Sequence, residues 1–160
     1  VFLQNSFNSL LAVMLDLNLP KYDFKVKTED GSTQIFDVIR KQFVKLTPEE
    51  WVRQNFIQYL IDEKEYLASL MAVEYALKYN NMQKRADILC FNTAGTPQLM
   101  VECKSASVRI NQKVFDQIAR YNFSLKVPYL VVTNGLEHYC CAMDYEQNTY
   151  RFVEEIPLLV

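Results

Sequence analysis

The chain has 160 residues, 50% of them apolar, with Gly 3 and Pro 5. That is enough to bury one core without disulfide or metal staples, and it excludes a disordered, collagen-like or low-complexity protein. Lys+Arg 17 against Asp+Glu 19 gives a net charge of -2, which at face value argues against a phosphate-rich partner.

The only histidine, His138, argues against His-paired nucleophiles and multi-histidine metal sites. Cys90, Cys103, Cys140 and Cys141 lack the two-residue gap of zinc or redox motifs and read as small buried residues of a reducing compartment. The longest apolar stretch, Ser9 to Leu19, is broken by Asp16 and Asn18 and is too short to span a bilayer. No basic region precedes the apolar N-terminus as in a signal peptide. The expectation is a cytoplasmic protein with no membrane partner.

Residues 1–46 read as an N-terminal helix/hairpin extension. Phe24 to Lys27 and Ile35 to Val38 are β-like runs around Glu29-Asp30-Gly31-Ser32, a hairpin expected to pack outside the main core. Residues 47–160 read as the main unit, and the whole as one compact body. Thr47-Pro48-Glu49-Glu50 starts a helix: Thr47 caps, Pro48 takes the first helical position, and Glu50 completes a capping box. Val52, Phe56, Tyr59 and Leu60 form its buried stripe, with Glu49 on the line of that stripe and Glu50 off it.

Four strand-like runs follow: Leu70 to Leu77, Ala86 to Phe91, Gln98 to Cys103 and Tyr129 to Val132. A helix over Asn111 to Leu125 separates the last two, and His138 to Met143 with Tyr150 to Val153 makes a closing hairpin. The order predicts an α/β sandwich around a mixed sheet.

Asp87 and Glu102 stand inside apolar strand segments, where ionised carboxylates rarely go unpaired. If the intervening hairpin turns between Ala94 and Gly95, the two are cross-strand neighbours with Cβ atoms about 5 Å apart. That spacing suits two carboxylates on one hard divalent cation. Lys104 shares a face with Glu102, while Cys103 between them points into the core with its backbone carbonyl free to face a metal. Lys104 could orient a metal-bound water, or take its proton if its pKa were lowered. The same residues would also serve as a plain ion-pair cluster at a sheet end. On the next helix Gln117 and Tyr121, four apart, share a face that could pack beside Glu102 and Lys104.

Arg85-Ala86-Asp87-Ile88, Val101-Glu102-Cys103-Lys104, and Gln117 followed by Tyr121 resemble the PD-(D/E)XK nuclease superfamily. Leu46 to Gln54 and Val132-Thr133-Asn134-Gly135 are similar to the N-terminal nuclease domain of type I restriction enzyme R subunits. The resemblance spans roughly Phe36 to Met143. It implies a restriction-endonuclease-like core, a mixed β-sheet flanked by helices in the order αβββαβ. It implies a metal-dependent DNA endonuclease, with Asp87, Glu102 and the Cys103 carbonyl holding Mg²⁺ (Mn²⁺ as substitute) and Lys104 supporting the attacking water. Gln117 and Tyr121 would support the site, as would Glu49, the acidic residue of the first helix, with Glu50 in that role if the stripe is misphased.

R subunits continue into a helicase motor, but no Gly-x4-Gly-Lys loop occurs here, so no ATP site is expected in this chain. The implied partners are DNA and either restriction/modification subunits or a second copy of the chain. The alternative is a catalytically silent domain of the same fold that binds nucleic acid or a partner protein.

The charge is unevenly spread. Between Lys78 and Lys126 the acids are Asp87, Glu102 and Asp116, against eight Lys and Arg residues. This basic segment supplies the DNA-contact candidates Lys84, Arg85, Arg109, Lys113 and Arg120, with Ser105 beside Lys104.

Overall fold

The computed structural model describes residues 13–79 and 82–158, and the side chains of Lys78, Tyr79, Met82, Tyr121 and Ser124 fall outside that description. Residues 1–12, where much of the expected N-terminal helix would lie, are also outside it.

The described chain opens with three short strands, β1 (Val26–Glu29), β2 (Ser32–Asp37) and β3 (Gln42–Lys45), in an antiparallel sheet of order β1-β2-β3. The expected hairpin is there, turned at Asp30 and Gly31, both at positive φ. The third strand is an addition. Its turn carries no Gly or Pro, which is why the sequence reading passes over it. The Asp37 carboxylate builds the turn instead, with Oδ1 accepting from the Ile39 and Arg40 amides at 2.8 Å each.

Helix α1 (Pro48–Asp62) follows. Thr47 caps it as expected, its hydroxyl accepting from the Glu50 amide at 3.1 Å. Glu50 does not complete a capping box. Its carboxylate is buried and bonded to Arg40, Arg53 and Gln54 instead. The single buried stripe also needs correction, because Glu50 to Ile57 are all buried. The small sheet covers α1 on one side, with Ile35 of β2 and Leu46 just after β3 packed with Trp51 of the helix, and the large sheet covers it on the other. A helix enclosed on two sides loses the one-sided pattern on which periodicity relies.

The large sheet has six strands in the order β4-β5-β6-β7-β8-β9: β4 (Met71–Tyr79), β5 (Met82–Phe91), β6 (Pro97–Cys103), β7 (Tyr129–Thr133), β8 (His138–Asp144) and β9 (Thr149–Val153). All neighbours are antiparallel except β6 and β7, which run parallel. A parallel pair needs a crossover, and helix α2 (Gln112–Leu125) supplies it. The fold is therefore α/β with a mixed sheet and two helices.

Successive residues of β5 to β8 go to opposite faces. Ile88, Cys90, Leu99, Val101, Cys103 and Val131 pack with Val52, Phe56, Ile57 and Leu60 of α1. Leu89, Met100, Leu130, Val132 and Cys141 pack with Phe115, Ile118 and Ala119 of α2. Among the described residues no helix is long and apolar enough to cross a membrane.

Thr47→Ala removes the side-chain acceptor at the start of α1. The expected cost is about 1 kcal/mol, read as a lower urea midpoint with unchanged slope. An unchanged midpoint would show that the enclosing sheets, not the cap, hold the first turn.

Candidate active site

The β5–β6 hairpin sets the geometry. Its ladder pairs Ile88 with Val101, Leu89 with Met100 and Cys90 with Leu99. Between Ile88 and Cys90 that is the register of a turn between Ala94 and Gly95, reached through a register shift between Cys90 and Phe91, and one further step of it would set Asp87 opposite Glu102. The regular ladder ends before that step. Asp87 completes it with its side chain, Oδ2 accepting from the Cys103 amide at 2.7 Å. Cys103 is fully buried in the α1-side core, as expected.

Glu102 and Lys104 are paired, Nζ to Oε1 at 3.0 Å. Burial, and then the Asp87 charge, push the Glu102 carboxyl above its ordinary value. Burial works to lower the Lys104 ammonium, but Glu102, with Glu49 and Asp87, together prevail and hold Lys104 above its ordinary value. Lys104 thus stays a cation, suited to orienting and stabilising rather than to taking a proton.

Helix α1 delivers two adjacent acids to different places. Glu49 is half-exposed, and burial followed by the Asp87 charge raises its carboxyl. Glu50 is buried, with Oε1 receiving Arg40 at 2.8 Å and Gln54 at 2.9 Å. Glu49 is therefore the α1 acid near the Asp87–Lys104 cluster, and Glu50 is a framework residue.

Sequence reasoning missed Arg53. Its side chain is 5% exposed, and Nη2 reaches Asp87 Oδ1 at 2.6 Å, Glu74 Oε1 at 2.8 Å and Glu49 Oε1 at 3.6 Å, while Nη1 holds Glu50. Burial opposes its charge, but Asp87 and Glu50 overcome this and raise its pKa. The available signal was spacing, since Arg53 follows Glu49 and Glu50 at four and three residues. Glu74 left no such signal. It sits in the middle of β4 at φ 54, between the pairs Val73–Ile88 and Tyr75–Ala86, and so in register with Asp87.

The remaining candidates are dispersed. Lys84 lies near the acids, and burial lowers it more than Glu102 raises it. Arg85 is exposed and reaches Glu74 at 3.4 Å. Ser105 bonds Ser107 at 2.9 Å, and Arg109, Lys113 and Arg120 are exposed. Gln117 is exposed on α2, and among the described residues no hydrogen bond joins it to Asp87, Glu102 or Lys104. The Tyr121 side chain is outside the described residues. Also among the described residues, no group of three His, Cys, Asp or Glu side chains gathers as a metal cluster.

Thr133-Asn134-Gly135 acts as a clamp beside this site. The Thr133 carbonyl accepts the Lys104 amide at 2.8 Å, and Asn134 Nδ2 donates to the Val108 carbonyl at 2.9 Å. Gly135 has φ +83, and a Cβ there would meet Leu17 at 2.7 Å and Val52 at 3.2 Å. His138 shares hydrogen bonds with Thr133 Oγ1 and the Asn18 carbonyl, a structural position on β8.

The family model for the N terminus of type I restriction enzyme R proteins matches residues 48–157. The chain belongs to this family. A solved structure, a fragment of a putative HsdR subunit of a type I restriction enzyme from Vibrio vulnificus, is similar at 21% identity and TM-score 0.50. The likeness covers 69% of this chain and 23% of that one, and it speaks to the fold. No curated protein matches. The resemblance read from the motifs, to the N-terminal domain of R subunits, thus holds.

Burial works to raise the fully buried Asp37, but hydrogen bonds from Arg40 and Gln54 prevail and hold its carboxyl below its ordinary value of 3.8. Its stabilisation is complete above that value and is lost as pH falls through the lower folded-state value. Asp37→Asn is expected to unfold at lower temperature than the parent at neutral pH, with the gap closing as the pH is taken below 3.8. A gap that is constant across the pH series would contradict the assignment.

Proposed function

We propose that the chain is the nuclease domain of a restriction system, hydrolysing DNA phosphodiesters with Mg²⁺ or Mn²⁺. In this reading residues 47–160 form a restriction-endonuclease-like core of αβββαβ order, and residues 1–46 are its extension. The element order α1, β4, β5, β6, α2, β7 and the family match over 48–157 support that division. The carrying observation is the gathering of Asp87, Glu102 and Lys104, with Asp87 bonded to the Cys103 amide and close enough to act on Glu102, and Lys104 paired with Glu102, in a chain of this family.

The donor set fits a hard cation. It is all oxygen, two carboxylates and a backbone carbonyl, and the Asp87 charge adds to burial in raising the Glu102 carboxyl, so a cation there would stabilise the ionised acids. Two carboxylates with water and phosphate completing the shell is a habit of Mg²⁺. Asp87, Glu102 and the Cys103 carbonyl would hold it. Bound there, Mg²⁺ supplies positive charge to the scissile phosphate and acidifies a water.

The chain's own residues do the rest. Lys104, kept charged by Glu102, puts a cation where negative charge builds in the in-line displacement. Asp87 is held at both oxygens, so its direction is fixed before substrate arrives. Lys84, Arg85, Ser105, Arg109, Lys113 and Arg120 are the candidates for the DNA backbone, with Glu49, Gln117 and Tyr121 as supports. Restriction/modification subunits or a second copy would complete the assembly, in the cytoplasm, with ATP-driven translocation carried outside this chain.

Plasmid nicking with Mg²⁺ or Mn²⁺ tests this. Asp87→Asn and Glu102→Gln, which keep side-chain volume, are expected to abolish nicking. Lys104→Ala is expected to lower it by about 10²–10³-fold. Parent rates in all three variants would overturn the assignment. A silent binding domain would instead shift DNA in gels yet take up no Mn²⁺ dependent on Asp87 and Glu102 in calorimetry.

A further inference from the structure

Asp87 can serve as a ligand only if its carboxylate is aimed, and the groups that aim it run far from the reacting centre. Its Oδ2 is held by the Cys103 amide at 2.7 Å and its Oδ1 by Arg53 Nη2 at 2.6 Å. The same nitrogen reaches Glu74 at 2.8 Å, and Nη1 is bound to Glu50. The other oxygen of Glu50 receives Arg40 Nη2 and Gln54 Nε2. Both of those side chains also bind Asp37 Oδ2, Arg40 through Nε at 2.6 Å and Gln54 at 2.9 Å. Asp37 closes the β2–β3 turn. Charge-assisted bonds thus run unbroken from the small sheet through α1 to Asp87 on β5.

We propose that Arg53 is a positioning residue for the Asp87 carboxylate, and that Asp37 and Arg40 of the small sheet form the anchor that holds Arg53 in place. The fork is essential to this role. Two nitrogens of one rigid plane meet Glu50 on one side and Asp87 with Glu74 on the other, which a lysine ammonium on a flexible stem cannot reproduce. Glu74 adopts a positive φ opposite Asp87 while its carboxylate reaches Arg53, the kind of strained backbone that collects at functional sites. For its catalytic consequence the inference rests on the nuclease reading, but the aiming of Asp87 can be measured without it.

The test is Arg53→Lys in the full chain, with Arg40→Met as a second variant that touches neither Asp87 nor Glu102. The reporter is the Cys103 amide in ¹H–¹⁵N spectra, whose shift depends on its bond to Asp87. Both variants are expected to move that resonance upfield, Arg53→Lys further. Mn²⁺ affinity in calorimetry and kcat for nicking should each fall about 10- to 100-fold in Arg53→Lys, with KM for DNA little changed. An unmoved Cys103 amide in the folded variants overturns the proposal, as does parent Mn²⁺ affinity in a variant whose amide has moved. If Arg53→Lys does not fold, Arg40→Met decides by the same two readings. If the parent neither binds Mn²⁺ nor nicks DNA, the nuclease reading fails, and the Cys103 amide still decides whether Arg53 aims Asp87.

Discussion

The guanidinium of Arg53 lies almost out of solvent among the carboxylates of Glu50, Glu74 and Asp87, with Glu49 at its edge. A charge in that position is tolerated only while its partners stay, and removing one partner of a buried pair costs about 3–5 kcal/mol. The partners sit on α1, β4 and β5, and Glu50 is tied in turn to Arg40 and, through Gln54, to Asp37 of the small sheet. Four elements distant in sequence are thereby made mutually dependent. The apolar core beneath, from Val52 and Phe56 to Val101 and Cys103, supplies burial but little direction. The polar network on top supplies the direction.

That arrangement divides the acids into two kinds. Asp37 and Glu50 are buried with both carboxylate oxygens bonded to cations or amides, and they serve the framework. Glu102 and Glu49 have their carboxyls raised, by burial first and then by the Asp87 charge. Asp87 belongs to both groups, since it bonds Arg53 and the Cys103 amide yet raises Glu102 by its charge. The clamp at Thr133-Asn134-Gly135 keeps the chain after Glu102 in place, so Lys104 is presented from a fixed loop.

The legible part of the site was the part governed by counting. Counting from a turn between Ala94 and Gly95 gives the pairing of Ile88 with Val101 and of Cys90 with Leu99, although a shift between Cys90 and Phe91 intervenes and the ladder stops before Asp87 and Glu102. Lys104 falls beside Glu102 because strand side chains alternate. The Thr47 cap and the boundaries of α2 follow from local hydrogen-bonding chemistry in the same way. The β2–β3 turn escaped because a carboxylate, rather than Gly or Pro, shapes it. Glu50 was misplaced because a helix covered on two sides has no polar face by which to phase it.

The sequence by itself determined the order of elements, the β5–β6 register from Ile88 to Cys90 and the placing of Lys104 beside Glu102, all set by neighbours within one turn or one loop. Only the tertiary structure decided that Arg53 would become the shared counter-charge, that Glu49 and not Glu50 would stand at the site, and that a small sheet near the N-terminus would hold the aim of Asp87. Those outcomes depend on which charges become buried together. Burial is a property of packed elements, and residues as far apart as Asp37, Arg53 and Asp87 carry no local pattern that announces their meeting.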